Sequence, residues 1–162
     1  ELCSAVSREC SKYGYEPVML TDQLCCQAKE AGSFLASIAK THCKSGKKLA
    51  YIAGGETVVN ITGHGKGGRN QEIALSAAEG IKGMSNAAVF SIGSDGTDGP
   101  TDAAGGYSDG DTAGVLKNKG IDIFEVLKNN DAYNALKLTE GLIITGPTGT
   151  NVNDVSVLLI SD

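Results

Sequence analysis

Apolar positions along the chain follow two periodicities, and their alternation predicts a protein of helices and strands in turn. Leu2, Ala5, Val6, Cys10 and Tyr13 recur at helical spacing, with Gly14 as the stop. Tyr15 to Leu20 reads as a short strand. Thr21 or Asp22 then stands where a helix cap belongs, ahead of a face made by Leu24, Ala28, Ala31, Leu35, Ile38 and His42. After the polar turn 44–48, Leu49 to Ala53 reads as a strand broken by Gly54-Gly55. The β-branched stretch Thr57 to Thr62 reads as another, able to pair with it as a hairpin. Ile73, Ala74, Ala77, Ala78 and Ile81 mark one side of a helix over 69–81. Ala87 to Ile92 is a strand, 93–111 a long loop, and 112–119 a short helix stopped by Gly120. Asp122, and Asn130 or Asp131, are placed to cap two further short helices. Strands at 142–145 and 155–160 complete the pattern.

The runs 87–92 and 155–160 are almost continuously apolar, as in strands covered on both faces. The prediction is therefore an α/β fold, a three-layer α/β/α sandwich around a mixed, largely parallel sheet. In such sheets ligands gather beyond the carboxyl ends of strands. Four polar, Gly-rich loops follow strands here, at 54–56, 63–71, 93–106 and 146–154. Each alone could be a tight turn; together they predict a site.

Composition narrows the function. The 162 residues suit one domain with one sizeable core. The 22 glycines are twice the roughly 11 expected at an average of about 7 %. With only three prolines they are not a linker composition, and their clustering implies backbone brought close to something. Net charge is −5 and the cations are dispersed, which excludes a nucleic-acid partner. No apolar run approaches the ~20 residues of a membrane span, and no secretory leader is visible. The five cysteines lie within the first 43 residues without a C-x-x-C pair, consistent with free thiols in a cytoplasmic protein. The first residue is Glu rather than Met, as in a piece of a longer chain.

Gly63, Gly65 and Gly68 spell G-x-G-x-x-G between a strand and a helix, the dinucleotide fingerprint by spelling. The strand does not open a visible βαβ unit, however, and the acidic residue expected downstream arrives late, as Asp95. What remains is physical. Bare N–H groups of Gly65, Gly67 and Gly68 at a helix N-terminus, beside Lys66 and Arg69, make a site for phosphate or carboxylate, or else a solvated basic turn. No G-x-x-x-x-G-K-[ST] sequence and no protein-kinase signature set occurs. Asp95, Asp98 and Asp102 crowd one loop. Such carboxylates repel unless compensated. Either one or two of them meet Mg²⁺ together with phosphate oxygens, or they close Asx turns on their own backbone. Thr148, Thr150, Asn151, Asn153 and Asp154 could bind phosphate or sugar oxygens, or satisfy their own turn. Glu56 could pair with Arg69. His64 has no partner and reads as a surface residue, and Ser91 and Ser94 lack the elbow of a hydrolase.

Taken in order, GGETVV (54–59), GKGGRNQE (65–72), GSDGTDGPTDAAG (93–105), NNDAY (129–133) and TGPTGTNVND (145–154) resemble the successive motifs of the MOFRL domain that ends the glycerate 2-kinases, older members of which were labelled hydroxypyruvate reductases. The resemblance spans about 49–160. It implies that residues 1–48 are the tail of a preceding domain and the crossover into this one, with 49–162 the MOFRL-type α/β domain. A Rossmann-like N-terminal domain, absent from this chain, would face it across the active-site cleft. The implied reaction moves the γ-phosphoryl of ATP to the 2-hydroxyl of D-glycerate with a divalent metal such as Mg²⁺. Arg69 would stabilise phosphoryl charge or bind the substrate carboxylate, Glu56 and Asn70 would orient it, Asp95 and Asp98 would approach metal or substrate, and the 148–154 loop would border the cleft. The expected partners are a hydroxy acid, a nucleotide and the chain's own N-terminal domain, with a homo-oligomer compatible. The chain alone would be inactive. Two other readings compete: an NAD(P)-dependent hydroxypyruvate reductase and a non-catalytic anion-binding module.

Overall fold

The computed structural model describes residues 1–162. Twelve elements follow in the order α1 (Leu2–Lys12), β1 (Glu16–Leu24), α2 (Ala28–His42), β2 (Leu49–Gly55), α3 (Arg69–Gly80), β3 (Ala87–Gly93), β4 (Gly105–Asp109), α4 (Thr112–Asn118), α5 (Ile123–Lys128), α6 (Ala132–Leu138), β5 (Leu142–Ile143) and β6 (Asp154–Ile160). One six-stranded sheet has the order β1-β2-β6-β3-β4-β5.

The sheet is mixed, as expected, but it is not largely parallel in its pairing. Only β1 and β2 pair parallel; β2–β6, β6–β3, β3–β4 and β4–β5 are antiparallel. The apolar runs 87–92 and 155–160 signalled burial on both faces, and that signal says nothing about direction. β6 lies between β2 and β3, which run the same way, and keeps them apart.

Three layers result. α1 covers one face over Ala50, Ile52, Val155 and Val157 through Cys3, Leu2, Val6 and Cys10. α2 and α3 cover the other over Leu49, Tyr51, Val89, Leu158 and Ile160. The contact surfaces of α2 and α3 are small: Ala28, Ala31, Ala36 and Ala39 meet Ile73, Ala77 and Ile81. A Cβ on Gly32 would overlap the Ile73 carbonyl and the Ser76 hydroxyl, so glycine there permits the close approach. α4, α5 and α6 wrap the far side of α3 around Leu75, Ala78, Leu116 and Leu136. Residues 1–48 thus share one sheet and one core with the rest.

Three local expectations fail, each for an identifiable reason. Thr21 and Asp22 cap no helix, because β1 runs on through register shifts to pair Leu24 with Gly55; α2 begins after Gln27. Thr57 to Thr62 is not a hairpin strand. Both edges of β2 are taken, by β1 and β6, and only Val58 pairs, in a single bridge to Gln27. Within the loop assigned to 93–111 lies β4. Its Gly105-Gly106 start concealed it, and both glycines are where a Cβ would collide, with the Ser91 carbonyl and with Leu136.

Candidate functional site

Register fixes where the site lies. Asp154, the first residue of β6, stands opposite Gly55 on β2 and opposite Gly93 on β3. The ends of three strands therefore meet, and they deliver Glu56, Asp95 and Asp154 to one edge of the sheet. The N-terminus of α3 is held against the same edge. A cavity of about 810 Å³ opens there, walled by the 56–61 segment, the glycine loop, Arg69, Glu72 and the start of the 95–100 loop.

The glycine loop is organised by hydrogen bonds in three groups. Five consecutive amides, from Thr62 to Lys66, donate to residues 129–131: Thr62 and Gly63 to the Asn130 side chain, His64 to the Asn129 side chain, Gly65 to the Asn129 carbonyl, and Lys66 to the Asp131 carboxylate. A Cβ on Gly63 or Gly65 would overlap Asn129 or Asp131. These glycines let the loop press against its own chain, not against a dinucleotide. The next three amides, of Gly67, Gly68 and Arg69, have no acceptor in the protein, and all three residues border the cavity. The following two, of Asn70 and Gln71, donate to Asp98 at 3.0 and 2.8 Å.

Asp98 is therefore a helix cap supplied from another loop. It is 3 % exposed and also accepts from Asn70 Nδ2 at 3.2 Å. Burial pushes its carboxyl above the usual range, against three donors that pull it down. Gly99 follows it with φ +60°, a backbone conformation suited to glycine, and a Cβ there would overlap the Gly67 carbonyl. Asn70 is equally internal: its Oδ1 accepts from Ser91 Oγ at 2.6 Å, and Ser91 meets Ser156 at 2.8 Å. The sequence reading placed Asp98 and Asn70 on the ligand. The structure spends both on holding α3 to β3 and β6. Of the bare amides expected at Gly65, Gly67 and Gly68, the latter two are unpaired, whereas Gly65 donates to the Asn129 carbonyl.

Arg69 is clamped. Its Nε and Nη2 donate to the Asp154 carboxylate, the latter at 3.2 Å, and Nη1 lies 2.8 Å from Glu56 Oε1. The pairing of Glu56 with Arg69 is as expected; Asp154, read as a contact to phosphate or sugar oxygens or to its own turn, is instead the second partner of Arg69. The hydrogen bond to Asp154 is the main reason the guanidinium is held above its ordinary pKa, opposed by burial. A guanidinium has five N–H donors. Two are hydrogen-bonded to Asp154 and Nη1 is ion-paired with Glu56, so N–H groups remain for a ligand, and the Arg69 side chain is 36 % exposed.

The remaining candidates divide. Asp95 borders the cavity and closes an Asx turn with Thr97 N at 3.0 Å. Lys66 does not border it: its Nζ sits 4.1 Å above the Tyr133 ring, and Tyr133 donates to Asp102. Thr148, Asn151 and Asn153 also lie outside the wall. Thr148 donates its hydroxyl to the Ser94 carbonyl, and its amide to that of Asp95, so this loop braces the Asp95 turn from behind. Asn153 is exposed at φ +68°. His64 is exposed, as expected. Glu72, missed in the sequence, is 4 % exposed at the cavity wall, where burial raises its pKa against the Asn130 side chain and Lys29. A glutamate between Gln71 and Ile73 on a helix gave no sign of this position.

Electrostatically the wall is acidic. Glu56, Glu72, Asp95 and Asp98 border the cavity, and Arg69 is its only cation. An anion entering here needs further positive charge. No three His, Cys, Asp or Glu side chains converge into a metal cage. Mg²⁺ requires none, since it commonly binds one or two carboxylates and completes its shell with phosphate oxygens and water. The exposed side of Asp95 fits that demand. No helix is long and apolar enough to cross a membrane, and all five cysteines are free thiols.

The motifs now seen as loop, cradle, cap and clamp are those of a known family, whose sequence description matches residues 49–154. The chain belongs to the MOFRL family. This MOFRL chain is 51 % identical over 164 residues to the D-glycerate 2-kinase of Thermotoga maritima, spanning 99 % of this chain and 39 % of that protein. It is 45 % identical to the glycerate 2-kinase of Pyrococcus horikoshii, spanning 98 % of this chain and 37 % of that one. A crystal structure of glycerate kinase from Thermotoga maritima superposes with a TM-score of 0.93 at 51 % identity, over 98 % of this chain and 39 % of that one. The MOFRL chain thus spans about two fifths of the length of the curated relatives it matches.

Proposed function

We propose that this MOFRL chain forms one wall of the active site of a glycerate 2-kinase, which transfers the γ-phosphoryl of ATP to the 2-hydroxyl of D-glycerate. The observation that carries the reading is the run of three unpaired amides, Gly67, Gly68 and Arg69, beside a guanidinium held in place by two carboxylates with N–H groups to spare. Preorganised donors of this kind suit phosphoryl transfer, where positioning and charge stabilisation do most of the work. Glycerate 2-kinases at 51 and 45 % identity support it.

The acidic wall supports a second element. One clamped arginine does not balance four carboxylates and a nucleotide, so a Rossmann-like domain preceding this chain supplies further cations from the opposite side of the cleft. Residues 1–48 carry the crossover from it. Asp95 would hold a divalent cation such as Mg²⁺ on this side, and the cation would supply charge neutralisation for the phosphates. Glu56 and Asp154 orient Arg69, and Arg69 with the amides of 67–69 binds the anion. Free thiols are in keeping with a cytoplasmic enzyme.

A hydroxypyruvate reductase is disfavoured. Gly63 and Gly65 pack against residues 129–131, and Gly68 against Asp98, so the G-x-G-x-x-G glycines serve contacts within the chain rather than close approach to a dinucleotide. The test is a phosphorus NMR assay of the two-domain protein with ATP, Mg²⁺ and D-glycerate. The expected product is 2-phosphoglycerate. Absence of phosphorylated glycerate, with oxidation of NADH by hydroxypyruvate instead, reverses the assignment.

A further inference from the structure

Two residues of the turn between α5 and α6 depart from the local rules of helix ends. α5 closes with the Asn130 amide donating to the Leu127 carbonyl at 3.1 Å and the Asp131 amide donating to the Val126 carbonyl at 3.0 Å. That pair of bonds puts Asn130 in the left-handed region, at φ 56°. Glycine is the usual occupant of this place, and Gly14 after α1 and Gly120 after α4 fill it in the same bonding pattern. Glu140 fills it after α6 with an exposed side chain. Asn130 differs from all three, because its side chain is bonded at both ends. Oδ1 accepts from Thr62 N at 2.8 Å and Gly63 N at 2.9 Å, and Nδ2 donates to the Asn60 carbonyl at 3.1 Å.

Asp131 departs as well. It stands at the N-cap of α6, yet its carboxylate caps none of that helix's amides. It accepts instead from Lys66 N at 2.8 Å and from Asn134 Nδ2 at 2.7 Å. Local rules are broken where a distant partner makes the demand. Here the distant partner is the segment 60–66, which runs directly into the three open amides.

The turn also sets the direction of the first of these. The Lys66 carbonyl accepts from Tyr133 N at 2.9 Å. The peptide that follows is planar and trans, so its N–H, that of Gly67, points the opposite way, out from the turn. Downstream, Asp98 fixes the amides of Asn70 and Gln71. The run 67–69 therefore hangs between two anchors, and neither belongs to it. Two of its three residues are glycines, whose backbone has the widest freedom to lose.

We propose that the turn 129–131 is the upstream anchor of the anion seat, with Asn130 and Asp131 as positioning residues that hold the amides of Gly67, Gly68 and Arg69 ready before a phosphate arrives. This rests on the kinase reading, and it gives the 129–133 motif its part in that reaction. Both side chains act through the loop backbone. A loop ordered beforehand loses little freedom on binding, and that is the source of the gain.

The test titrates inorganic diphosphate by calorimetry into the two-domain protein, unsubstituted and with Asn130→Gly, Asp131→Ala or Asp131→Asn. Glycine suits the left-handed place after α5, and Asp131 has no cap bond to lose, so the thermal midpoints are expected to hold within a few degrees. Asp131→Ala and Asp131→Asn remove the same charge, and only asparagine keeps an oxygen for Lys66 N. Diphosphate is expected to bind about 5–30-fold more weakly to Asn130→Gly than to the unsubstituted protein, and to Asp131→Ala than to Asp131→Asn, the cost of ordering one residue of backbone on binding. Equal binding by the two Asp131 variants, unchanged binding by Asn130→Gly, a collapsed melt of Asn130→Gly, or no diphosphate binding by the unsubstituted protein overturns the assignment. The kinase reading fails by a different result, the absence of phosphorylated glycerate, whereas diphosphate binding is read without turnover.

Discussion

Asp98→Ala separates two roles that a buried aspartate beside a cavity can play. The side chain accepts from Asn70 N, Asn70 Nδ2 and Gln71 N at 2.8–3.2 Å. Removing it leaves those three donors buried, at roughly 1–3 kcal/mol each and so about 3–9 kcal/mol in sum. Part of that is returned, because the charged carboxyl is itself costly to bury; its raised pKa records the cost. A net loss of about 2–4 kcal/mol is expected, the scale of a broken buried polar network. At about 2–4 °C per kcal/mol for a chain of this size, the thermal midpoint should fall roughly 5–15 °C. Asp98→Asn should lie in between, since its amide nitrogen turns one donor against another. Circular dichroism melts of the three proteins provide the measurement. If Asp98→Ala melts like the unsubstituted protein while anion binding collapses, Asp98 is a ligand contact and the cap assignment is refuted.

Gly68→Ala should destabilise by about 1–3 kcal/mol, since its Cβ would overlap both the carboxyl and the backbone of Asp98; a urea midpoint at the unsubstituted value would deny the tight contact. Glu72→Gln tests linkage. The folded pKa of Glu72 is raised by burial, so its stabilising contribution is complete below the ordinary carboxyl pKa and is lost as pH rises through the folded value. Unfolding free energy against pH should therefore fall less steeply in Glu72→Gln over that window, and an unchanged slope would place the effect elsewhere.

Much of the framework was legible in the chain. Helices over 2–12, 69–80 and 112–118, and strands over 87–93 and 154–160, lie where the periodicity put them. Asp122 caps α5 through the amides of Phe124 and Glu125, as its position implied. Strand direction was not legible, because burial on two faces leaves the same apolar run in a parallel and an antiparallel strand. The site was legible in outline. The strand-end loops do come together, and Glu56 does meet Arg69. Its division of labour was hidden, because glycine spacing does not say which partner the backbone approaches. Here that partner is Asn129 to Asp131, some 65 residues away in the chain. Asp98 and Asn70 carry the residue types of ligand contacts, and only their hydrogen bonds reveal the cap. The place of Glu72 at the wall and the pairing of Asp154 with Arg69 needed the three-dimensional convergence of α3 and β6.

Turnover of the two-domain protein with Arg69→Ala tests the central claim most directly, with Arg69→Lys to keep a cation beside Asp154. Steady-state phosphorylation of D-glycerate should fall about 10²–10³-fold in Arg69→Ala, by analogy with the loss of one preorganised transition-state donor. Lysine should restore only part of it, having no planar fork to bridge Glu56 and Asp154 while still facing the ligand. Undiminished turnover in Arg69→Ala would contradict the account.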